Sequence, residues 1–369
     1  MPHSEFYQRV EEAVNKYDGL FNSHLHLDRA GTLGKRYLEH MGMNPVEASS
    51  YSLRTKQNLT GDLHRGLAYE KENLRKRIEY YLDELIDLGT RRADSFIDVS
   101  STDVGLQALN VALELKDEKK DKIDFRVGAY PVFGFKEDYP DRWELYVDAA
   151  NQADYLGCLP ERDDKKYHPH HIGYIESVKR TLELAKEVGK PIQYHVDQAN
   201  DPREIGTETL VEAVKWLGTP EIKEEGPSVW AVHVISPSTY KEERFKKLLS
   251  GLSEQDIGVI SCPTAAVSMR QLRPIETPTY NSIARVLDML VKEIPVRLGS
   301  DNIADVFLPS TTSSLYDEIL MLSNAVRYYN PEILAKIACG KELTDMDREL
   351  IRRSLEQDEE VFNGIKKEY

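Results

Sequence analysis

The stretch LFNSHLHLDR, residues 20–29, begins as an apolar run and ends with His24, His26 and Asp28. Alternate residues of a strand point to one side, so a strand here presents both imidazoles together. LFNSHLHL (20–27) is the first of eight such runs. The others are ADSFIDV (93–99), IDFRVGAYP (123–131), ADYLGCLP (153–160), PIQYHV (191–196), SVWAVHV (228–234), IGVISCP (257–263) and IPVRLGS (294–300). Several are largely apolar on both faces, as parallel strands covered by helices are. Helical periodicity fills the intervals at 59–88, 104–115, 172–188, 207–217, 238–249, 279–291 and 311–326, with a shorter segment at 141–151. Eight strand–helix units over about 300 residues predict a (β/α)8 TIM barrel. A doubly wound open sheet is the competitor, but no Gly-x-Gly-x-x-Gly follows the first run.

The barrel is expected to occupy 1–330. Residues 30–58 form a long polar connection after strand 1, a candidate lid. Residues 331–369 read as a C-terminal helical extension packed on the barrel. The 369 residues carry 48 Lys plus Arg against 63 Asp plus Glu, a net charge of -15 that disfavours nucleic acid and anionic membranes as partners. Hydrophobic residues at 40% suffice for a sizeable core, which argues against disorder. Cys158, Cys262 and Cys339 include no CxxC pair and supply no disulfide framework. No apolar run approaches the ~20 residues that cross a bilayer, and the N-terminus lacks an export pattern, so a cytoplasmic location is expected.

Histidines gather where the strands end. His195 closes strand 5, His233 lies near the end of strand 6, and strand 8 runs into Asp301. In a barrel, these positions converge with His24 and His26 at the top of the lumen. Neutral imidazole nitrogens with one carboxylate are a ligand set for Zn²⁺ or Fe²⁺. A lone histidine near a strand end is more often a satisfied polar residue than a ligand; the full set at successive strand ends reverses that balance.

This pattern resembles the amidohydrolase superfamily, and within it the cytosine-deaminase-like branch. The resemblance runs from about Phe21 to Thr311 and includes GTRRADSFIDVSSTDVGLQALNVALELK at strand 2, DFRVGAYPVFGF at strand 3, CPTAAVSMRQLRP at strand 7 and LGSDNIADVFLP at strand 8. It implies that His24, His26, His195 and Asp301 hold one divalent metal. His233 would stand beside the attacking water, and Asp301 would accept its proton. Strand 4 (ADYLGCLPERD) carries no bridging lysine; Glu161 and Asp163 lie beyond it as possible alternatives. The β-sandwich that many relatives build from their chain ends has no counterpart in either flank, and extra terminal helices are expected instead.

Departures from the relatives bear on substrate. Gln198 stands where a glutamate shuttle is usual, and glutamine is neither acid nor base. Asp197, next to it, is expected to support the strand end. Val132 replaces a glutamine that reads a base edge, Phe96 a strand 2 histidine, and Asn302 a second aspartate. Arg29, Val132, Phe133, Phe96, Asn302 and Phe307 are the candidate substrate-binding residues, with Phe135 adding to an apolar loop. Weaker candidates are a histidine cluster at His168, His170 and His171, and Arg270 and Arg273 after strand 7. Asp305 is expected to brace the strand 8 loop and Cys262 to be packing.

The sequence therefore predicts a metal-dependent hydrolase acting on a C–N bond, with Asp301, His233 and Gln198 as catalytic residues. Its substrate would be a nitrogen-containing, partly apolar small molecule other than cytosine. Two alternatives remain: a deaminase of a modified nucleobase-like heterocycle, and an inactive barrel that binds a ligand or protein. A homo-oligomer is possible on this evidence.

Overall fold

A computed structural model describes residues 4–269 and 282–368; Arg270 and Arg273 fall outside them. Eight parallel strands lie in chain order: β1 (Leu20–Leu25), β2 (Thr90–Asp98), β3 (Asp124–Tyr130), β4 (Tyr155–Cys158), β5 (Ile192–Val196), β6 (Val229–His233), β7 (Ile257–Ser261) and β8 (Val296–Leu298). The ends of the sheet meet where Asp301 N donates to His24 O at 2.9 Å, beside the parallel bridge between Leu25 and Asp301. Every residue of β1, β4, β5, β6 and β7 is buried, because helices cover the outside and side chains fill the lumen. Among the described residues no strand lies outside the barrel.

Helical periodicity places most helices within a few residues of their observed bounds. The predicted 59–88 segment is instead two helices, Leu53–Arg65 and Lys71–Asp87, separated by a 3-10 turn at Leu67–Tyr69. Gly66 ends the first in extended backbone, and Glu70 starts the second in the same conformation. The 238–249 segment likewise resolves into a 3-10 turn, Ser236–Thr239, followed by the helix Glu242–Glu254. Residues 30–58 are not an open loop. They contain short helices at Lys35–Leu38 and Pro45–Ser49 and bury Tyr37, Leu38 and Ala48 before entering Leu53–Arg65.

Helices from both chain ends pack together against the barrel. Ser4 caps Glu5–Lys16 by accepting from Tyr7 N, and that helix buries Val10, Ala13 and Val14 at i, i+3 and i+4. Its partner is Pro331–Ala338, which also meets β1 and β8. Asp345–Glu368 follows and packs on Val286–Val291. No helix among the described residues is long and apolar enough to cross a membrane.

A buried carboxyl on the helix Leu315–Ala325 is expected to make stability pH-dependent. Glu318 Oε2 accepts from Thr264 N at 2.9 Å, while Oε1 has no partner. Burial raises its pKa to about 7. A folded-state pKa above the unfolded value means stability is greatest below about 4.5 and declines as pH rises toward 7. Glu318→Gln keeps the acceptor for Thr264 and abolishes that loss. Urea denaturation at pH 8 should show the variant more stable by about 1–3 kcal/mol, with no gain at pH 4.5. Equal stability at both pH values would refute the assignment.

Candidate metal centre

His24 and His26 stand at the end of β1 and just beyond it, His195 and His233 in β5 and β6, and Asp301 after β8. Register aligns the middle pair, with His195 beside Val232 and Val196 beside His233. Strand periodicity turns the rings inward, and the backbone then bends sharply: His233 has φ 77°, Asp301 φ 60° and Asp197 φ 55°. Left-handed backbone at non-glycine residues is uncommon and gathers at functional sites.

One ligand atom from each of His24, His26, His195 and Asp301 lies within 4.8 Å of all the others, and all four residues are buried. His26 Nε2 is 3.4 Å from Asp301 Oδ1, His24 Nε2 3.8 Å from the same oxygen, and His233 Nε2 4.0 Å from Asp301 Oδ2. His24 is steered by its other nitrogen, since Nδ1 meets Gln193 Oε1 at 3.1 Å.

The donor set fits a divalent cation. His24 Nε2, His195 Nδ1 and both nitrogens of His233 are buried without a partner, an arrangement that costs free energy unless something else occupies the space between them. Burial lowers His24 to about 4 and holds His26 and His195 well below the ordinary range, which keeps their nitrogens neutral. Neutral imidazole is the form that ligates. Burial and the neighbouring Asp305 raise Asp301 to about 7, a penalty that a cation among these groups would reverse.

Phe96, expected in the substrate site, packs against this cluster and is not among the residues lining the cavity. It is fully buried, 5.0 Å from the His24 ring, and stacked on Tyr130 at 4.8 Å and 9°. Two glycines make room for it. A Cβ on Gly157 would lie 2.6 Å from the Phe96 ring, and one on Gly128 2.8 Å from that ring and 2.4 Å from Tyr155. Gly157→Ala is expected to cost about 1–3 kcal/mol by overpacking and to weaken metal retention by tilting the Phe96 ring. Unaltered stability and metal content on denaturation and elemental analysis would show that the ring yields freely.

A cavity of ≈ 660 Å³ opens above the histidines. Of the predicted substrate residues, Arg29, Val132, Asn302 and Phe307 line it, together with Gln198 and His233. Phe133 does not; it packs against His64 at 5.5 Å, and Phe135 is buried against Trp143 and Tyr146. The 30–58 segment supplies one wall, through Tyr51, Arg54 and Gln57.

Several neighbours carry definite structural duties. Asp197 accepts from Gly206 N (2.6 Å) and Thr207 N (2.8 Å), capping the helix Gly206–Leu217, so its carboxylate is turned from the cavity. Asp305 accepts from Phe307 N, Leu308 N and Asn302 Nδ2. Asp163 holds Phe135 N and His171 Nδ1. Neither Asp163 nor Glu161, nor the His168, His170 and His171 group, belongs to a metal-competent cluster among the described residues. Cys262 is buried in an apolar cluster, with its thiol raised well above the ordinary range by burial.

Sequence reasoning missed a second buried group beside the site. Asp98 Oδ2 accepts from His64 Nε2 (3.0 Å) and Tyr69 OH (3.0 Å), and Tyr69 OH also reaches Asp28 Oδ2 (2.8 Å). Arg29 Nη2 lies 3.5 Å from Asp98 Oδ1 and 2.5 Å from His26 Nδ1. Asp98 closes an apolar run, a weak signal on its own; His64 and Tyr69 had none. His26, Asp28 and Asp98 form a second set of potential ligands sharing His26 with the first. Arg29 already supplies positive charge there.

No family model matches the chain. An uncharacterized protein of Haemophilus influenzae is 25% identical over 284 residues, 76% of this chain and 94% of that one. Among solved structures, 5-methylcytosine deaminase from Klebsiella pneumoniae with phosphonocytosine superposes at TM-score 0.71 and 22% identity, over 91% of this chain and 82% of its own. N-isopropylammelide isopropylaminohydrolase from Burkholderia multivorans gives TM-score 0.65 and 18% identity over 87% and 72%. The zinc-bound atrazine chlorohydrolase of Arthrobacter aurescens gives 0.54 and 14% over 87% and 69%. The closed eight-stranded barrel and these superpositions agree: the chain has the barrel fold of these deaminases and hydrolases, with a His/Asp cluster at its strand ends.

Proposed function

We propose that the protein is a metal-dependent hydrolase of a C–N bond in a small, nitrogen-containing, partly apolar substrate, and that it uses one Zn²⁺ or Fe²⁺ per chain. The observation carrying this reading is the set of four buried ligand groups, His24, His26, His195 and Asp301, at the base of a cavity large enough for such a molecule. A divalent ion held there supplies Lewis acidity and eases deprotonation of water at neutral pH.

The chain's own residues divide the remaining work. Asp301 takes the proton of the attacking water at Oδ2 and returns it to the leaving nitrogen, since Gln198 can do neither. His233, whose two ring nitrogens have no protein partner, stabilises negative charge developing on the substrate oxygen. Gln198 orients the substrate by hydrogen bonding. Arg29 and Asn302 offer polar contacts, and Val132 and Phe307 accept hydrocarbon. Arg29 lies over the Phe307 ring at 5.1 Å, so one wall combines charge and apolar surface. Elemental analysis of protein purified without added metal or a histidine tag, followed by a screen of amides, lactams and amino-substituted heterocycles, tests the reading. One equivalent of zinc or iron with turnover of a C–N substrate is expected; persistent absence of metal after reconstitution would refute it.

A further inference from the structure

Gln198 is buried and lines the cavity. Its Nε2 donates to Glu161 Oε2 at 3.3 Å. An ionised carboxylate offers only acceptors, so the carboxamide must turn its NH₂ to Glu161 and its oxygen elsewhere. Glu161 has little other occupation. Its Oε1 is shut off from solvent without a partner, and among the described residues it forms no ion pair. Burial, with the neighbouring Asp197 adding, raises its pKa to about 7. A buried carboxyl that serves one side-chain amide weakens the fold rather than supporting it, which argues that its use lies in the cavity.

We propose that Glu161 is a positioning residue that turns the carbonyl oxygen of Gln198 into the cavity, so that the site takes substrates whose nitrogen facing position 198 carries a hydrogen. Such a nitrogen belongs to a cyclic amide or ureide; the bare ring nitrogen of a cytosine-type base would set acceptor against acceptor. The proposal rests on the reading above, that the cavity holds a nitrogen-containing substrate against the histidines. It explains the change at 198 as a reversal of hydrogen-bond polarity as well as a loss of acid–base chemistry. Opposed acceptors with no water between them are expected to cost about tenfold or more in affinity.

Two measurements on the zinc-loaded protein at about pH 8, where Glu161 is mostly ionised, test the lock and the substrate class separately. The first uses no ligand. In protein labelled with ¹⁵N-glutamine, the Gln198 side-chain amide, identified by its absence from Q198L, should shift and exchange faster in E161A, with E161Q as a second variant should alanine fail to fold. Identical Gln198 signals in wild type and variant overturn the lock. The second is calorimetric titration with uracil, whose N3 carries a hydrogen, and with cytosine, whose N3 does not. Wild type should favour uracil by about tenfold or more, and the Glu161 variants should bring the two within about threefold while retaining zinc. A wild-type preference for cytosine, or a uracil preference unchanged in the variants, overturns the proposal. Binding of neither, with the amide shift present, overturns the substrate class and leaves the lock standing.

Discussion

Alanine at His195 or Asp301 is expected to leave a folded protein that retains less than about a tenth of the wild-type metal and loses at least about a thousandfold in kcat/KM. The four ligand groups converge from three places in the barrel: the first strand, the fifth strand and the turn after the eighth. Removing any one leaves three donors around a gap that solvent can enter from the cavity, and affinity falls steeply with ligand number. Stability should change little, because His195 Nδ1 and His24 Nε2, which face the cluster, have no protein partner that alanine would orphan. His233→Ala separates two roles. It removes a ring that faces Asp301 at 4.0 Å but lies outside the four-ligand set, so metal content should persist while turnover falls. Elemental analysis beside steady-state kinetics reads both quantities. Full metal occupancy and normal turnover in His195→Ala and Asp301→Ala would end the hydrolase reading.

Asp98→Ala should produce the largest loss of stability, about 3–5 kcal/mol by chemical denaturation. Burial pushes the Asp98 carboxyl upward, but Arg29, His64 and Tyr69 together outweigh it and hold the group below the ordinary carboxylate range. Its depressed pKa adds stability that is present above the unfolded value and is lost as pH falls through the folded one. Deleting this carboxylate strips counter-charge from the buried Arg29 guanidinium, leaves His64 Nε2 without its partner and leaves Tyr69 OH with Asp28 alone. Asp98→Asn preserves the shape and should lose less. Because Arg29 also lines the cavity and touches His26, both variants should disturb ligand binding. A destabilisation below about 1 kcal/mol for Asp98→Ala would show that Arg29 does not need this counter-charge.

Legibility of the site follows the distance over which each local rule acts. His24 and His26 can be assigned to one side of a strand because strand alternation is a property of two adjacent residues. His195, His233 and Asp301 become interpretable because each sits where an apolar run ends. Phe96 shows the limit of such rules: the resemblance placed it at the site, but its depth depends on Gly128 and Gly157 of two other strands, which leave room for the ring against His24. Phe133 lies off the cavity lining for a related reason. Its loop turns away to meet His64, a residue on a helix whose position no strand rule reports.

The barrel, the inward histidines and the absence of an acid at position 198 are legible in the residues alone, since periodicity and side-chain chemistry are local and survive any arrangement of distant parts. Tertiary structure alone decided the company those residues keep. It packed Asp98, His64 and Tyr69 beside Arg29, turned Asp197 to a helix end, and set Glu161 against Gln198. Each pairing joins segments whose separation is set by loop paths and packing, so it arises only when the whole chain closes around a shared interior where an unpaired polar group is costly.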